Sequence, residues 1–348
     1  EKITEIEYFN GYFRVSSQGW VETDRGSFTL GDPGRDVSSP DLAVGHTLLH
    51  LIDLPAVSEP LPSQPVIGVV AAGTGEGWRK AALGYRDGLA LIELGRTAPA
   101  GVIGLLQADL PPHAGHLLDT SNNLMVRVLH SGMDFPPGFG DPLHPNAPLI
   151  HIAGELIKYG DCEQLGPTDF RFARLARGCF GSEIAQHPTG TALCLVSEAT
   201  TLRFGGLGLA IDDSASFEAV GIGDSNPVLE SIPAVGRAIR PLAPCHLNVA
   251  FDEEQNLHIS WFRRSRWDTG WRDFADLSVD EPSLMFEVEI KSSQVLLAQF
   301  QLSVEYIEVS AALVGSWGLQ TGVPITVDVR QRGTYALSWP TSQTVLAR

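Results

Sequence analysis

Several things are scarce or missing in this chain, and each absence narrows what it can be. Lysine is scarce and arginine supplies most of the positive charge; 24 Lys+Arg stand against 41 Asp+Glu, a net charge of −17. A chain this acidic is repelled by phosphate backbones instead of gaining from counterion release, so no nucleic-acid binding is expected. The four cysteines, Cys162, Cys179, Cys194 and Cys245, include no Cys-x-x-Cys pair, and no zinc site is predicted. No apolar run is long enough for a membrane helix, and no signal peptide is seen. A Gly-x-Ser-x-Gly elbow is also absent. The chain opens Glu1-Lys2-Ile3-Thr4 without methionine, as expected of a fragment or processed piece of a longer polypeptide; methionine removal or tag trimming leaves the same signature.

The 348 residues are 43% hydrophobic and 19% charged, a folded composition with room for one to three domains. The 36 glycines and 23 prolines fall between short apolar runs. That pattern predicts a mostly β chain of tandem antiparallel domains. Ile3, Ile6 and Tyr8, then Tyr12, Phe13 and Val15, flank Asn10-Gly11, a hairpin dipeptide. His46 to Leu54 reads as a strand with Leu48, His50, Ile52 and Leu54 on one face. Val66 to Ala72 is continuously apolar, the mark of a fully buried strand. Gly73 to Gly77 reads as a hairpin-type connection, and Ala81 to Glu93 as two strands around Arg86-Asp87-Gly88.

The stretch from Gly154 to Glu183 is the most informative. Glu155 to Tyr159 alternates, Gly166-Pro167-Thr168-Asp169 is turn chemistry, and Phe170 to Leu175 alternates again, so a hairpin is predicted. It runs into Arg177-Gly178-Cys179-Phe180-Gly181-Ser182-Glu183, where the glycines mark positive φ or close backbone approach. Cys162 and Cys179 flank this hairpin: a disulfide between them is one reading, and buried free thiols in a protein made in the cytosol is the preferred one.

The order of Gly154-Glu155, the Leu-Gly-Pro turn, the Phe-Arg-Phe strand, Arg177-Gly178, Gly181 and Ser182-Glu183 resembles the C-terminal region of tail-tip (baseplate hub) proteins from siphophages and gene transfer agents. That family usually reads Leu-Arg-Gly-Arg-Arg-Gly-Thr-Glu at the end, so Cys179 and Phe180 stand where it has basic residues. The resemblance covers about residues 65 to 205, and Gly236 to Pro244 resembles the family's "GRALRPLSP" junction. It implies a structural role at the distal end of a tail, assembled from cytoplasmically made subunits: closing the tail end, meeting the host envelope, packing against other tail or baseplate subunits, and standing as a homotrimer in the particle. The family's hydrolase-like domain lies further toward the N-terminus, and nothing here resembles it.

Four regions are expected: an N-terminal β segment (1–64) continuing from an upstream domain, a tail-tip-type β domain (65–216), a Pro/Gly linker (217–243) and a fibronectin type III-like sandwich (244–348). The sandwich reading rests on Trp261 inside an early strand, on the alternating run Phe286 to Ile290, on strands near Val304 and Ile325, and on a late turn over Gly315 to Gly322.

Catalytic and metal signatures are weak. His46 and His50 have the spacing of a zinc-protease helix without its glutamate; on a strand they lie about 13 Å apart, too far for one ion. His113 and His116 near Asp119 read as loop histidines, and Gly73-Thr74-Gly75-Glu76-Gly77 lacks a phosphate-binding pattern. Asp212-Asp213 and Glu253-Glu254 fall in predicted turns, although a glycosidase pair needs only spatial proximity, so part of a cell-wall hydrolase is an alternative function. Neither a catalytic residue nor a cofactor is predicted. The remaining surface signal is Trp267 and Trp271 among Arg263, Arg264, Arg266 and Arg272. Trp with Arg is the composition of binding hot spots and sugar platforms. The preferred reading puts these tryptophans over the sandwich edge; a host glycan, an outer-membrane receptor or another subunit is the alternative use of this loop.

Overall fold

The computed structural model describes residues 2–9, 12–18, 42–56, 59–113, 118–267 and 277–348. It divides into a unit of residues 1–41 and a unit of residues 42–348. In the first, β1 (Lys2–Phe9) pairs antiparallel with β2 (Tyr12–Gln18), with Ile6 opposite Val15 and Tyr8 opposite Phe13. The expected turn at Asn10-Gly11 lies outside the described residues.

The second unit is built on β3 (Thr47–Asp53) and β4 (Ile67–Gly73). All seven residues of β4 are buried, because its two faces enter different cores. Ile67, Val69 and Ala71 join Leu49 and Leu51 of β3 in one core. Val70 and Ala72 join Ile52 and Leu54 in the other. A strand walled on both sides has no solvent face to write in polar residues, and so reads as an unbroken apolar run. The glycine loop after β4 does not fold a hairpin: it carries the chain out of this sheet to β5 (Ala81–Asp87), which pairs with β6 (Ala90–Arg96) in another. A Cβ on Gly73 would lie 2.2 Å from Trp78, and one on Gly75 would lie 2.1 Å from the Ala43 carbonyl oxygen. The glycines there serve close packing.

The chain then closes a six-stranded antiparallel barrel from β7 (Ile103–Leu106), β8 (Leu124–Val128), β9 (Leu149–Ile152), β10 (Glu155–Gln164), β11 (Asp169–Ala176) and β12 (Ala192–Val196), in the order β10-β11-β8-β7-β12-β9. The β10–β11 hairpin is the one read from Gly154 to Leu175, with Gln164 opposite Phe170. Side chains fill the barrel: Phe135 packs edge-on to Phe172 at 4.8 Å, Tyr159 lies 4.6 Å from Phe172, and the Tyr159 hydroxyl donates to the Pro136 carbonyl at 2.7 Å.

After the barrel the chain returns to the sheets it left. β13 (Thr201–Phe204) pairs with β4, and β14 (Ser214–Gly221) pairs with β5 on one side and β15 (Val228–Pro233) on the other. This corrects the expected linker over 217–243. Its glycines and prolines sit at strand ends, in the Gly221–Asp224 turn and in the turn from Gly236 to Pro241, while Ala215, Phe217 and Ala219 alternate into the core. Punctuation between two strands had the composition of a linker.

Residues 245–346 form a seven-stranded sandwich. β16 (Cys245–Phe251), β17 (Leu257–Phe262) and β20 (Tyr306–Val309) make one sheet; β18 (Phe286–Ser292), β19 (Val295–Leu302), β21 (Pro324–Gln331) and β22 (Thr341–Leu346) make the other. Trp261 is buried at the centre, its ring 5.3 Å from Phe286. The late turn begins as a short helix, α1 (Ala311–Ser316).

Candidate functional site

The Gly154–Glu183 motif converges on one buried ion cluster. Glu155, the first residue of β10, is inward-facing and fully buried, and Arg177 follows β11 on the neighbouring strand. Arg177 donates from Nε to Glu155 Oε1 at 2.6 Å and from Nη2 to Oε2 at 2.8 Å. Its remaining donors reach the carbonyls of Pro111 (3.1 Å) and Ala185 (2.8 Å), and Nη1 lies 3.6 Å from Asp119. Glu155 also accepts from the Gly178 and Ala185 N–H groups and meets His187 Nε2 at 2.7 Å. Burial pushes the Glu155 carboxyl up, but hydrogen bonds from Arg177 and His187 outweigh it and hold it below the usual range. Asp119 behaves likewise: burial raises it, and the Asn122 side chain and backbone N–H, with His113, bring it below.

The rest of the motif shapes the turn. Gly178 and Gly181 have φ of 63° and 72°, and a Cβ on Gly178 would meet the Ser182 carbonyl oxygen at 3.0 Å. The Ser182 hydroxyl accepts from Leu156 N–H at 2.9 Å and donates to the Cys179 carbonyl at 2.9 Å. Gly154 makes the β9–β10 turn, and Glu183 is exposed. The arginine and both carboxylates are buried and tied to protein partners, so the cluster is a lock on the barrel wall. All four cysteines are free thiols; Cys162 and Cys179 are not bridged.

Two arginines of the Arg/Trp loop turn inward. Arg266 is buried, pairs with Glu281 at 2.8 Å and donates to the Arg240 carbonyl at 3.1 Å. Arg263 pairs with Glu305 at 3.2 Å and donates to the Leu277 carbonyl at 2.7 Å. Arg264 and Trp267 are half-buried. Trp271 and Arg272 lie outside the described residues. Two of the expected surface cations are therefore structural ties.

Those ties meet the junction over Gly236 to Pro244. The Asp53 carboxylate, at the end of β3, accepts from the Gly236 and Arg237 N–H groups at 3.3 and 2.8 Å. Burial raises its pKa against these bonds. Arg237 donates to the Gly154 carbonyl at 2.8 Å, and Arg240 to the carbonyls of Val235 (2.9 Å) and Leu337 (2.7 Å). Both guanidinium groups stack on Trp339, at 5.6 and 5.0 Å from its ring. One short segment thus holds β3, the barrel turn and the sandwich.

Beside it opens a cleft of about 520 Å³, lined among others by His50, Asp53, His151, Gly154, Glu230 and Arg237. His50 comes from β3, and His151 from β9 of the barrel. His50 Nε2 lies 2.7 Å from His151 Nδ1, with the rings nearly perpendicular. The Gly154 N–H donates to His151 Nε2 at 3.2 Å, so the neutral His151 ring carries its proton on Nδ1 and donates it to His50. Burial lowers His50 to about 4. Burial, then the charges of His50, Arg237 and His187, takes His151 well below its ordinary value. Cys194 on β12 is the cross-strand partner of His151 and is fully buried, which pushes its thiol up.

Sequence reading missed this group. It weighed His50 only against His46, which instead lies 3.9 Å from Asp224. His50, His151 and Cys194 share no spacing; barrel closure onto β3 alone brings them together.

Residues 101–194 match the family described as Rcc01698-like, C-terminal. The span begins just before β7 and ends within β12, and so coincides with the barrel. No curated protein matches the chain. Among solved structures, the extracellular region of rat CD45, domains d3–d4, is similar at 12% identity over 43% of this chain and 72% of that one, with a TM-score of 0.24. The FN1–FN3 domains of chicken CNTN1 are similar at 8% identity over 87% of this chain and 98% of that one, also with a TM-score of 0.24.

Proposed function

We propose that this chain is a structural part of a phage-like tail tip, a C-terminal portion of a baseplate hub that helps close the tail end and meet the host envelope. The observation that carries the reading is the fate of the Gly154–Ser182 motif. The residues that give the resemblance to tail-tip proteins are the ones that form the sealed Glu155–Arg177 lock, inside the barrel that the family match covers. The inward-turned Arg263 and Arg266, and the junction at Arg237 and Arg240, support a part made for rigidity. In this reading the partners are other baseplate subunits and two further copies of the chain about the tail axis. The chain carries out no catalytic cycle, and the net charge of −17 keeps it off DNA.

Cryo-electron microscopy of tails from the source strain tests the proposal. Three copies of the barrel and sandwich at the tip are expected. Tails whose tip density accommodates neither domain overturn it.

A further inference from the structure

His50, His151 and Cys194 each offer one ligand atom, and these atoms lie within 4.8 Å of one another. The set is unlike an exposed acidic cluster. It combines two imidazoles and a thiol, the donors preferred by zinc-class ions. The three side chains come from three strands: β9 and β12 are each paired on both sides within the barrel, and β3 is paired along one edge with β4. The two imidazoles also line the cleft, while Cys194 lies beneath them, fully buried.

We propose that His50, His151 and Cys194 bind one zinc-class divalent ion, with the fourth position open to the cleft and filled by water. Three protein ligands and one open position is a common arrangement for such ions. Ideal tetrahedral bonds place two ligand nitrogens about 3.3 Å apart and a nitrogen and sulfur about 3.6 Å apart. The imidazole nitrogens now stand 2.7 Å apart, so loading separates them by roughly 0.6 Å. The His151 proton then moves from Nδ1 to Nε2, and the Gly154 N–H gives up its contact. Gly154 can do so because it is a turn residue with no side chain and φ of 89°, around which a Cβ would meet nothing. The thiol proton leaves to solvent as the Cys194–metal bond forms. His50 belongs to the sheet walled on both faces and the other two ligands to the barrel, so the ion staples the barrel to that sheet.

Titration of the full chain with cobalt(II) chloride tests this. One equivalent is expected to bind, with a thiolate-to-cobalt charge-transfer band in the near ultraviolet and strong tetrahedral bands in the visible. Cys194→Ser should remove the charge-transfer band. His50→Gln, which leaves a neutral partner for His151, should weaken binding at least about tenfold. His113→Gln, outside the set, should change neither. Zinc should displace cobalt and raise the unfolding midpoint of the wild-type and His113→Gln chains more than that of Cys194→Ser or His50→Gln. A folded wild-type chain that takes up no cobalt overturns the proposal, as does a spectrum indifferent to both Cys194→Ser and His50→Gln. Near-ultraviolet circular dichroism of each metal-free variant shows that it is folded; if Cys194→Ser is not, His50→Gln decides. These outcomes stand apart from tail microscopy, since the ion site does not depend on where the chain is assembled.

Discussion

Arg177 and Glu155 stand 22 residues apart in sequence and meet as a two-pronged ion pair with both side chains almost wholly hidden from solvent. Such a pair has a one-sided energetic character. Its formation contributes little over a well-packed apolar pair, but removal of one partner strands a charge in a dry interior.

Arg177→Met should therefore cost about 3–5 kcal/mol of stability. Glu155→Met together with Arg177→Met should cost less than Arg177→Met alone. Urea denaturation of both variants checks this. Equal or greater loss in the double variant would show that the pair itself is strongly net stabilising.

Acidification should weaken the fold in two stages. His50 has its folded pKa lowered from 6.5 to about 4, so between those values the unfolded chain binds more protons and stability falls as pH falls. That stage is worth on the order of 3 kcal/mol. Glu155 and Asp119 are also depressed in the folded chain; their contribution is intact above the unfolded carboxylate range and is lost only as pH drops through the folded values. In metal-free buffer, His50→Gln should remove its own share of the slope between pH 6.5 and about 4, leaving the share that His151 contributes and the more acidic stage in place. Unfolding midpoints measured across pH settle it.

Arg240→Ala removes two carbonyl contacts and one of the two cations on Trp339. A loss of roughly 1–3 kcal/mol is expected, concentrated at the junction. Limited proteolysis should then cut within residues 234–244 faster than in the wild type. Unchanged cutting would show that Arg237 and Asp53 hold the segment without it.

Within the sandwich, Trp261→Ala should cost about 3–5 kcal/mol, because the ring fills the space between the sheets against Phe286. The half-buried Trp267 should cost far less on the same change. Comparable losses would mean that Trp267 is as much a core anchor as Trp261.

The strands were legible where pattern and environment agree. Val66 to Ala72 announced a buried strand, Phe286 to Ile290 a half-buried one, and Gly154 to Leu175 a hairpin. The fate of charged residues was less legible. Arg263 and Arg266 look solvent-facing in one dimension, and only the positions of Glu305, Glu281 and the Arg240 carbonyl show them turned inward. The stretch over 217–243 failed for a related reason, since glycine and proline mark chain reversal and reveal nothing of whether the residues between them pair. His50, His151 and Cys194 were invisible because their proximity is a property of how the barrel closes.

The pairing of β4 with both β3 and β13 has a consequence for the order of events during synthesis. Every strand of the barrel is encoded between residues 103 and 196, whereas the layer around it needs β3 to β6 from before and β13 to β15 from after. On a ribosome the inner module can complete its hydrogen-bonded ring first, while its host waits half-made for the return of the chain. The outer strands then close over a finished object, with Val70 and Ala72 as the surface on which that object sits.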